Sequence, residues 1–209
     1  MSGGRHRFLL LLPAFGRLLL LALRRFRLVA HNGLPVGFID GWKYCPRCGA
    51  ELERTEEYVH CPTGELRVYA HAQPGAEAVC FDARGRVLLG RRAGPPRTGY
   101  WDLPGGFVHE GELPLDALRR EIEEETGAIP EPLEFLGVWN EPYFDRTVLC
   151  LTWIARIDGD VEAADDVAEL RWFAADAIPW QELAFAHDEP ALRLALRRQH
   201  DAQRVRLDP

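Results

Sequence analysis

The sequence predicts an α/β domain over residues 75–200, preceded by a small lobe and a leader segment. Short apolar runs bounded by turn residues, which are typical of strands, alternate with a strongly amphipathic helical segment and end in a second helical segment. The length of 209 residues suits one full-sized domain with a small appendage, and a hydrophobic content of 47% is typical of a globular chain.

The domain is expected to begin with a β-hairpin. Apolar residues 78–81 and 86–89 are joined by the turn at residues 82–85, and residues 90–99, which are rich in glycine, proline and arginine, are expected to form a loop. The remaining predicted elements are strands at residues 133–139, 148–157 and 169–173 and a closing helix at residues 190–199 with Asp188 as its cap.

Several strand side chains are interpreted as core residues. Cys80 and Cys150 lie within apolar runs and are expected to be small buried hydrophobic residues. Trp139, Trp153 and Trp172 are expected in the core or in the wall of a pocket.

An acidic helix is predicted between the hairpin and the later strands. Pro114 suits its first turn, and Gly127 suits the position just after its end. Leu115, Leu118 and Ile122 follow the spacing i, i+3, i+7 and are expected to form the apolar stripe that packs on the sheet.

Three glutamates share one face of this helix. Glu121, Glu124 and Glu125 are spaced i, i+3, i+4 and lie on a narrow arc beside the apolar stripe, whereas Glu123 points to the other side. Ionisation of three adjacent carboxylates costs free energy unless a cation lies near them. Oxygen ligands suit Mg²⁺ or Mn²⁺, and substrate phosphates commonly complete the coordination of Mg²⁺. The alternative is a solvated acidic face.

Neighbouring residues support the metal hypothesis. Arg120 lies one turn before Glu124, so the two side chains can pair, and Glu112 can reach back to Arg120. Gly105 and Gly106 permit a backbone path that a side chain would block, and an exposed carbonyl there could add a metal ligand.

The acidic helix and the loop before it carry a spaced motif, Gly106-x5-Glu112-x7-Arg120-Glu121-Ile122-x-Glu124-Glu125-x-Gly127. This motif resembles the Nudix box, G-x5-E-x7-R-E-U-x-E-E-x-G-U, in which U is a bulky aliphatic residue. Only the last position departs from the motif, because it holds Ala128 in place of a bulky aliphatic residue, and Ile129 follows one position later. Residues 88–92, 99–108 and 169–173 are also similar to the flanks of the box in this family.

The resemblance to the Nudix family implies an α/β/α sandwich around a mixed sheet. It also implies Mg²⁺-dependent hydrolysis, or Mn²⁺-dependent hydrolysis, of a nucleoside diphosphate linked to another moiety. The metal ligands implied are Glu121, Glu124 and Glu125, with a carbonyl from Gly105 or Gly106.

The resemblance also implies supporting and catalytic roles. Arg120 and Glu112 would orient the glutamates. The resemblance does not identify the general base, because Glu124, Glu125 or acidic residues from loops outside the box could serve. The loop candidates are Asp165, Asp166 and Glu169.

Residues 1–31 form an apolar and basic leader. Six arginines and no acidic residue occur in its first thirty positions, and Arg17 interrupts the apolar run, which argues against a membrane-spanning helix and against a signal peptide. The leader is predicted either as a helix in peripheral contact with an anionic membrane, or as a helix packed on its own domain, or as an unstructured leader.

A cysteine segment occupies residues 42–70. Cys45 and Cys48, followed by Cys61, have metal spacing and resemble part of the zinc ribbon that precedes some Nudix domains. Gly64 stands where the last cysteine of a ribbon would be expected. A structural Zn²⁺ wants four ligands. Either His60 or His71 supplies the fourth, or the lobe holds reduced cysteines without metal.

The substrate class is narrowed by one further comparison of motifs. NADH pyrophosphatases resemble this chain in the order of ribbon and Nudix domain but carry a motif, SQPWPFPxS, that residues 138–145 lack. An ADP-ribose-like substrate is therefore favoured, with Tyr143 and Phe144 as candidates to stack on a base. The alternatives are an NADH or NAD pyrophosphatase and a non-catalytic nucleotide sensor.

The net charge of −7 argues against nucleic acid as the main partner. Five cysteines without an even disulfide pattern predict a reducing, cytoplasmic location. The sequence leaves a homodimer open as the state of assembly.

Overall fold

The computed structural model describes residues 39–207. The leader at residues 1–31 therefore lies outside the described residues. Within the described part of the chain, no helix is long and apolar enough to cross a membrane.

The cysteine segment folds into a small three-stranded antiparallel sheet. Its strands are β1 (Glu53–Arg54), β2 (Tyr58–His60) and β3 (Arg67–Tyr69), in the order β1-β2-β3. The turn that contains Cys45 and Cys48 is closed by a hydrogen bond of 2.8 Å from the Gly49 N–H to the Cys45 carbonyl.

The α/β domain is built on a seven-stranded mixed sheet. Its elements are β4 (Gln73–Phe81), β5 (Val87–Arg92), β6 (Trp101–Asp102), β7 (Gly105–Phe107), α1 (Pro114–Thr126), β8 (Glu131–Tyr143), β9 (Arg146–Arg156), β10 (Val167–Phe173) and α2 (Asp188–Leu207). The main path runs β10-β5-β4-β9-β8, while β6 pairs with β5 and β7 with β4. Only the central β4 and β9 are parallel among these pairs, so the sheet is mixed, as predicted.

The two helices cover opposite faces of this sheet. Alternate residues of β4 supply the two cores: Ala78 and Cys80 pack towards α1, whereas Val79 and Phe81 pack towards α2. This alternation is the strand period of two. It produces the predicted α/β/α sandwich and confirms Cys80 as a buried core residue.

Helix α1 begins and ends where its sequence predicts. Pro114 is its first residue, and Leu113 provides no side-chain cap. Gly127 adopts φ 71°, the left-handed conformation that suits glycine, and its N–H donates to the Glu123 carbonyl at 2.8 Å.

The apolar stripe of α1 differs from the prediction at one end. Leu118 and Ile122 are fully buried, but Leu115 is 38% exposed. Burial along the helix begins at Ala117, so Leu115 belongs to a first turn that does not yet pack on the sheet.

Several element boundaries also differ from the sequence-based expectations. Strand β5 continues to Arg92, because β10 pairs with residues 90–92 and β6 pairs with residues 90 and 91, all of which were expected to form a loop. Asp188 is the first residue of α2, and its carboxylate accepts a hydrogen bond of 2.8 Å from the Phe185 N–H. It is therefore not a cap outside a helix that starts at residue 190.

Candidate active site

Arg120 is the cation among the acidic residues of α1. Its guanidinium donates to both carboxylate oxygens of Glu112 at 2.9 and 3.0 Å, to Glu121 at 2.8 Å and to Glu124 at 3.1 Å. It also donates to the Phe107 carbonyl at 3.0 Å, which ties the helix to β7. Both pairings expected for Arg120, with Glu124 and with Glu112, are present.

Two of the three glutamates face inward. Glu125 is 8% exposed and accepts a hydrogen bond of 3.0 Å from the Gly105 N–H. Burial raises the pKa of Glu125 well above its ordinary value, and burial also raises the pKa of Glu121. Removal from water disfavours the negative charge, so a nearby dication would stabilise both carboxylates. The Glu124 side chain, in contrast, is 49% exposed.

The glycine pair allows β7 to lie directly against these carboxylates. At Gly106, a Cβ atom would lie 2.4 Å from the carboxylate of Glu121. At Gly105, which has φ 146°, a Cβ would lie 2.3 Å from the Ala76 carbonyl oxygen. The backbone contact and the positive φ therefore require glycine at Gly105, whereas at Gly106 a larger residue would have to displace the Glu121 carboxylate.

A cavity of about 190 Å³ opens beside this junction. Glu121, Glu125, Gly105 and Gly106 all line it, whereas Glu124 does not. The carboxylate oxygens of the three glutamates do not form a group within 4.8 Å of one another among the described residues. Arg120 holds Glu121 and Glu124 at its guanidinium, and Glu125 turns towards Gly105.

This donor set fits Mg²⁺ or Mn²⁺. Hard divalent ions take oxygen ligands and keep open positions for water and phosphate oxygens. Glu121 and Glu125 supply two buried carboxylates at the cavity wall, and Glu124 lies on the adjoining exposed turn.

A loop of acidic residues closes another side of the cavity. Asp165 and Asp166 line it, and the Ala164 N–H donates to the Glu125 carbonyl at 3.0 Å, so the loop is tied to the end of α1. Glu169 does not line the cavity, since it pairs with Arg171 and, at 3.6 Å, with Arg91.

The two aromatic candidates differ in whether they line the cavity. Tyr143 lines the cavity, and its hydroxyl accepts a hydrogen bond of 3.3 Å from Arg92. Phe144 is 69% exposed and contacts Tyr143 edge-on, outside the residues that line the cavity. Phe185, which the sequence-based reasoning missed, lies 5.8 Å from Tyr143 between ring centroids and lines the cavity with it.

Arg92 and Asp102 form a half-buried pair at the same cavity. Arg92 donates to Asp102 at 2.7 Å, and its guanidinium also lies over the Phe185 ring. Burial raises the pKa of Asp102 to about 6, although Arg92 opposes this shift. Neither residue was a sequence-based candidate, because Arg92 lies in the segment expected to form a loop and Asp102 lies in residues 99–108, which were compared only with the flank of the motif.

A second polar group that the sequence-based reasoning missed forms the cavity floor. His187 contacts Glu141 through Nδ1 at 3.1 Å and Glu77 through Nε2 at 3.0 Å. Thr152 donates to Glu77 at 2.6 Å. Cys150 also lines this floor, so its interpretation as a simple core residue is incomplete. The signal in the sequence is a glutamate, Glu77, within an otherwise apolar strand.

The three cysteines of the N-terminal lobe come together. The Sγ atoms of Cys45, Cys48 and Cys61 all lie within 4.8 Å of one another. Neither His60 nor His71 belongs to this group among the described residues. His60 instead contacts Glu53 at 3.2 Å.

Comparisons with known proteins agree with this fold and motif. A family model described as NUDIX domain matches residues 71–195. The ADP-ribose pyrophosphatase of Methanocaldococcus jannaschii is 36% identical over 128 residues, which cover 60% of this chain and 74% of that protein. The crystal structure of a NUDIX hydrolase from Nitrosomonas europaea matches with a TM-score of 0.65 at 27% identity, covering 77% of this chain and 93% of that one.

A further relative is similar over a smaller part of its own length. The NAD-capped RNA hydrolase NudC of Pseudomonas aeruginosa is 27% identical over 140 residues, which cover 66% of this chain and 49% of NudC. The chain thus matches about half of that relative.

An α/β/α sandwich whose glycine strand and acidic helix meet at a cavity is the architecture of a Nudix domain. The chain belongs to the Nudix hydrolase family, as its motif predicts.

Proposed function

We propose that the chain is a Nudix pyrophosphohydrolase that uses Mg²⁺ or Mn²⁺ to cleave the diphosphate bond of an ADP-ribose-like nucleoside diphosphate. The observation that carries this proposal is the position of Glu121 and Glu125 on the cavity wall, beside Arg120, which holds three acids of the motif: Glu112, Glu121 and Glu124. The M. jannaschii relative, named as an ADP-ribose pyrophosphatase, supports this substrate class.

The chemistry of the site suits a highly anionic substrate. A divalent ion bound there would neutralise phosphate charge and lower the pKa of a bound water. Glu121, Glu124 and Glu125 would hold the ion, with a carbonyl of Gly105 or Gly106 as a further ligand. Arg120 and Glu112 would keep the carboxylates in place, which preserves the alignment that diphosphate cleavage needs.

Asp165 and Asp166 are the preferred candidates for the general base. They line the cavity and belong to the loop that is hydrogen-bonded to the Glu125 backbone. A general base must lie within hydrogen-bond reach of the attacking water. Glu169 is disfavoured, because its carboxylate pairs with Arg171 away from the cavity.

Replacing Glu125 by glutamine tests the metal assignment. Glu125→Gln should lower kcat about a hundredfold or more, because one buried ligand charge is lost while the shape is kept. Glu123→Gln is the matched control, since Glu123 is an exposed neighbour on the same helix and should retain activity. Circular dichroism should show both variants folded, and near-normal turnover of Glu125→Gln at saturating Mg²⁺ would count against the assignment.

A hydrolysis screen separates the substrate alternatives. ADP-ribose, NADH, NAD, diadenosine polyphosphates, sugar nucleotides and oxidised nucleoside triphosphates would be assayed with Mg²⁺ and with Mn²⁺. We expect ADP-ribose or a close analogue to give the highest kcat/KM. Preference for NADH or NAD would favour the alternative of an NADH or NAD pyrophosphatase, and tight nucleotide binding without turnover would favour a sensor.

The N-terminal lobe is proposed to hold a structural Zn²⁺ at Cys45, Cys48 and Cys61. The Cys48 and Cys61 sulfurs are 3.5 Å apart. Hydrogen bonding, first from Thr63, lowers the pKa of Cys48 to about 7, which favours the thiolate that binds zinc. A Cβ at Gly64 would lie 3.6 Å from the Cys61 sulfur, so a side chain at this position would lie beside the cysteine cluster.

Restoring a fourth thiolate tests the zinc proposal. Gly64→Cys should bind Zn²⁺ more tightly than the natural chain, because a structural site prefers four protein ligands. Gly64→Ser adds a similar side chain without the thiolate and is the matched control. The zinc content of the two variants and of the natural chain is measured after competition with a chelating dye, and it gives the order of their zinc affinities. The zinc proposal is wrong if Cys61→Ser retains as much zinc as the natural chain.

A further inference from the structure

Glu77, Cys150 and His187 bring three different metal-binding atoms together on the cavity floor. A carboxylate oxygen, the thiol sulfur and a ring nitrogen all lie within 4.8 Å of one another. The three residues come from β4, from β9 and from the position just before α2. All three are buried and line the cavity, so an ion bound among them would have an open side.

Two of these side chains are oriented by neighbouring groups. His187 Nδ1 contacts Glu141 at 3.1 Å, which directs Nε2 towards Glu77. The Thr152 hydroxyl donates to Glu77 at 2.6 Å. Metal-binding histidines typically give their second ring N–H to a carboxylate, and metal-binding carboxylates are themselves hydrogen-bonded. Both arrangements are present here.

An unsatisfied carboxylate oxygen lies beside the same nitrogen. Asp188 is completely buried, and its Oδ1 lies 3.6 Å from His187 Nε2 without a hydrogen-bond partner among the described residues. A buried polar atom without a partner costs free energy, and such an atom in a native structure calls for an explanation such as an ion. The nearest positive group is the His187 ring, which also contacts Glu77 and Glu141, so three carboxylates surround one imidazole at the cavity floor.

The geometry and the donor types agree with a four-coordinate ion. Glu77 and His187 Nε2 are separated by 3.0 Å. Two ligands about 2.0 Å from a tetrahedral Zn²⁺ lie roughly 3.3 Å apart, so a small adjustment suffices. Mixed nitrogen, sulfur and oxygen donors suit Zn²⁺ or Co²⁺, whereas Mg²⁺ takes oxygen ligands.

We propose that Glu77, Cys150 and His187 form a second metal site, which binds a borderline divalent ion such as Zn²⁺ or Co²⁺. Binding displaces the thiol proton of Cys150 and the proton that His187 Nε2 shares with Glu77, and both protons leave to solvent. The negative charges of Glu77, Glu141 and Asp188 favour the dication that takes the place of these protons. This site differs in its donor atoms from the oxygen site on α1 and does not depend on the proposed hydrolysis.

Cobalt titration of the full chain tests the second site. The chain is stripped with a chelator, excess Mg²⁺ is added to occupy the oxygen site, and Co²⁺ binding is followed by the thiolate-to-cobalt charge-transfer absorption. Cys150→Ala should lose one equivalent of thiolate-bound Co²⁺ relative to the natural chain. Cys80→Ala, which removes a buried thiol of the neighbouring strand β4, is the matched control and should lose none. Equal binding by Cys150→Ala and the natural chain would overturn the proposal.

A measurement on the unaltered chain covers the case in which Cys150→Ala does not fold. ¹¹³Cd added in the presence of excess Mg²⁺ should give a resonance with the chemical shift of one thiolate combined with nitrogen and oxygen ligands. Cadmium at the three-cysteine cluster resonates well downfield of this position, so the two sites are distinguishable. The absence of the single-thiolate resonance would refute the second site.

Discussion

Arg120 shows how one side chain determines the arrangement of an acidic site. Like charges spaced i, i+4 on a helix repel, yet α1 carries several glutamates. The guanidinium bonds to Glu112, Glu121 and Glu124 at 2.8 to 3.1 Å. Such charge-assisted hydrogen bonds are the strong ones, and the bidentate pair with Glu112 adds fixed geometry. The role of Arg120 is therefore to hold the carboxylates in place.

The pH dependence of stability should report the Glu112–Arg120 pair. Hydrogen bonding from Arg120 lowers the pKa of Glu112 from 4.5 to about 2. A lowered pKa means that the stabilisation is complete above about pH 4.5 and is lost as the pH falls towards about 2. The free energy of unfolding of Glu112→Gln should therefore lie below that of the natural chain at pH 6, and the two should converge in acid.

Denaturant titrations at a series of pH values measure this difference. Glu110→Gln is the control, since Glu110 is an exposed neighbour in the same loop. A difference for Glu112→Gln that stays constant down to pH 2 would show that this ion pair does not carry the effect.

At the scale of elements, the short strand β7 decides how closely the sheet approaches the acidic helix. Its two glycines meet different neighbours. Gly105 faces the backbone of β4 and has a positive φ, whereas Gly106 faces the flexible end of the Glu121 side chain. Backbone cannot move aside as a carboxylate can, so the same substitution should have different effects at the two positions.

Alanine at these two positions should separate stability from metal binding. Gly105→Ala should cost roughly 3 kcal/mol or more of unfolding free energy, because strained φ and an overlap with backbone combine. Gly106→Ala should remain folded but bind Mn²⁺ about 10- to 100-fold more weakly, because it displaces Glu121, a proposed metal ligand. Chemical denaturation and calorimetric Mn²⁺ titration give the two quantities. Unchanged Mn²⁺ affinity in folded Gly106→Ala would contradict the role given to Glu121.

At the scale of the whole molecule, the sequence predicted what depends on local spacing. The ends of α1 follow from Pro114 and Gly127, and the pairing of Arg120 follows from the helical repeat. The mixed sheet and its two helical layers followed from the resemblance to the Nudix family. The helix ends and the pairing of Arg120 need no knowledge of which distant strands meet.

The cavity floor could not be predicted in this way. Glu77 and His187 are separated by 110 positions, and they meet only because β4 is central in the sheet and α2 begins above it. Strand β5 extended further than expected because its partner β10 is distant in sequence. Leu115 was misassigned because periodicity gives the direction of a side chain but not where the sheet ends.

The guanidinium at the centre of α1 has a consequence for how the enzyme would take up the metal ion proposed for this site. This positive charge, which is part of the polypeptide, offsets the repulsion between the acidic side chains. Binding and release of the proposed ion would therefore not require the surroundings to rearrange. Ion exchange should then follow free metal concentration as a simple reversible equilibrium, with the protein ready to work as soon as the ion arrives.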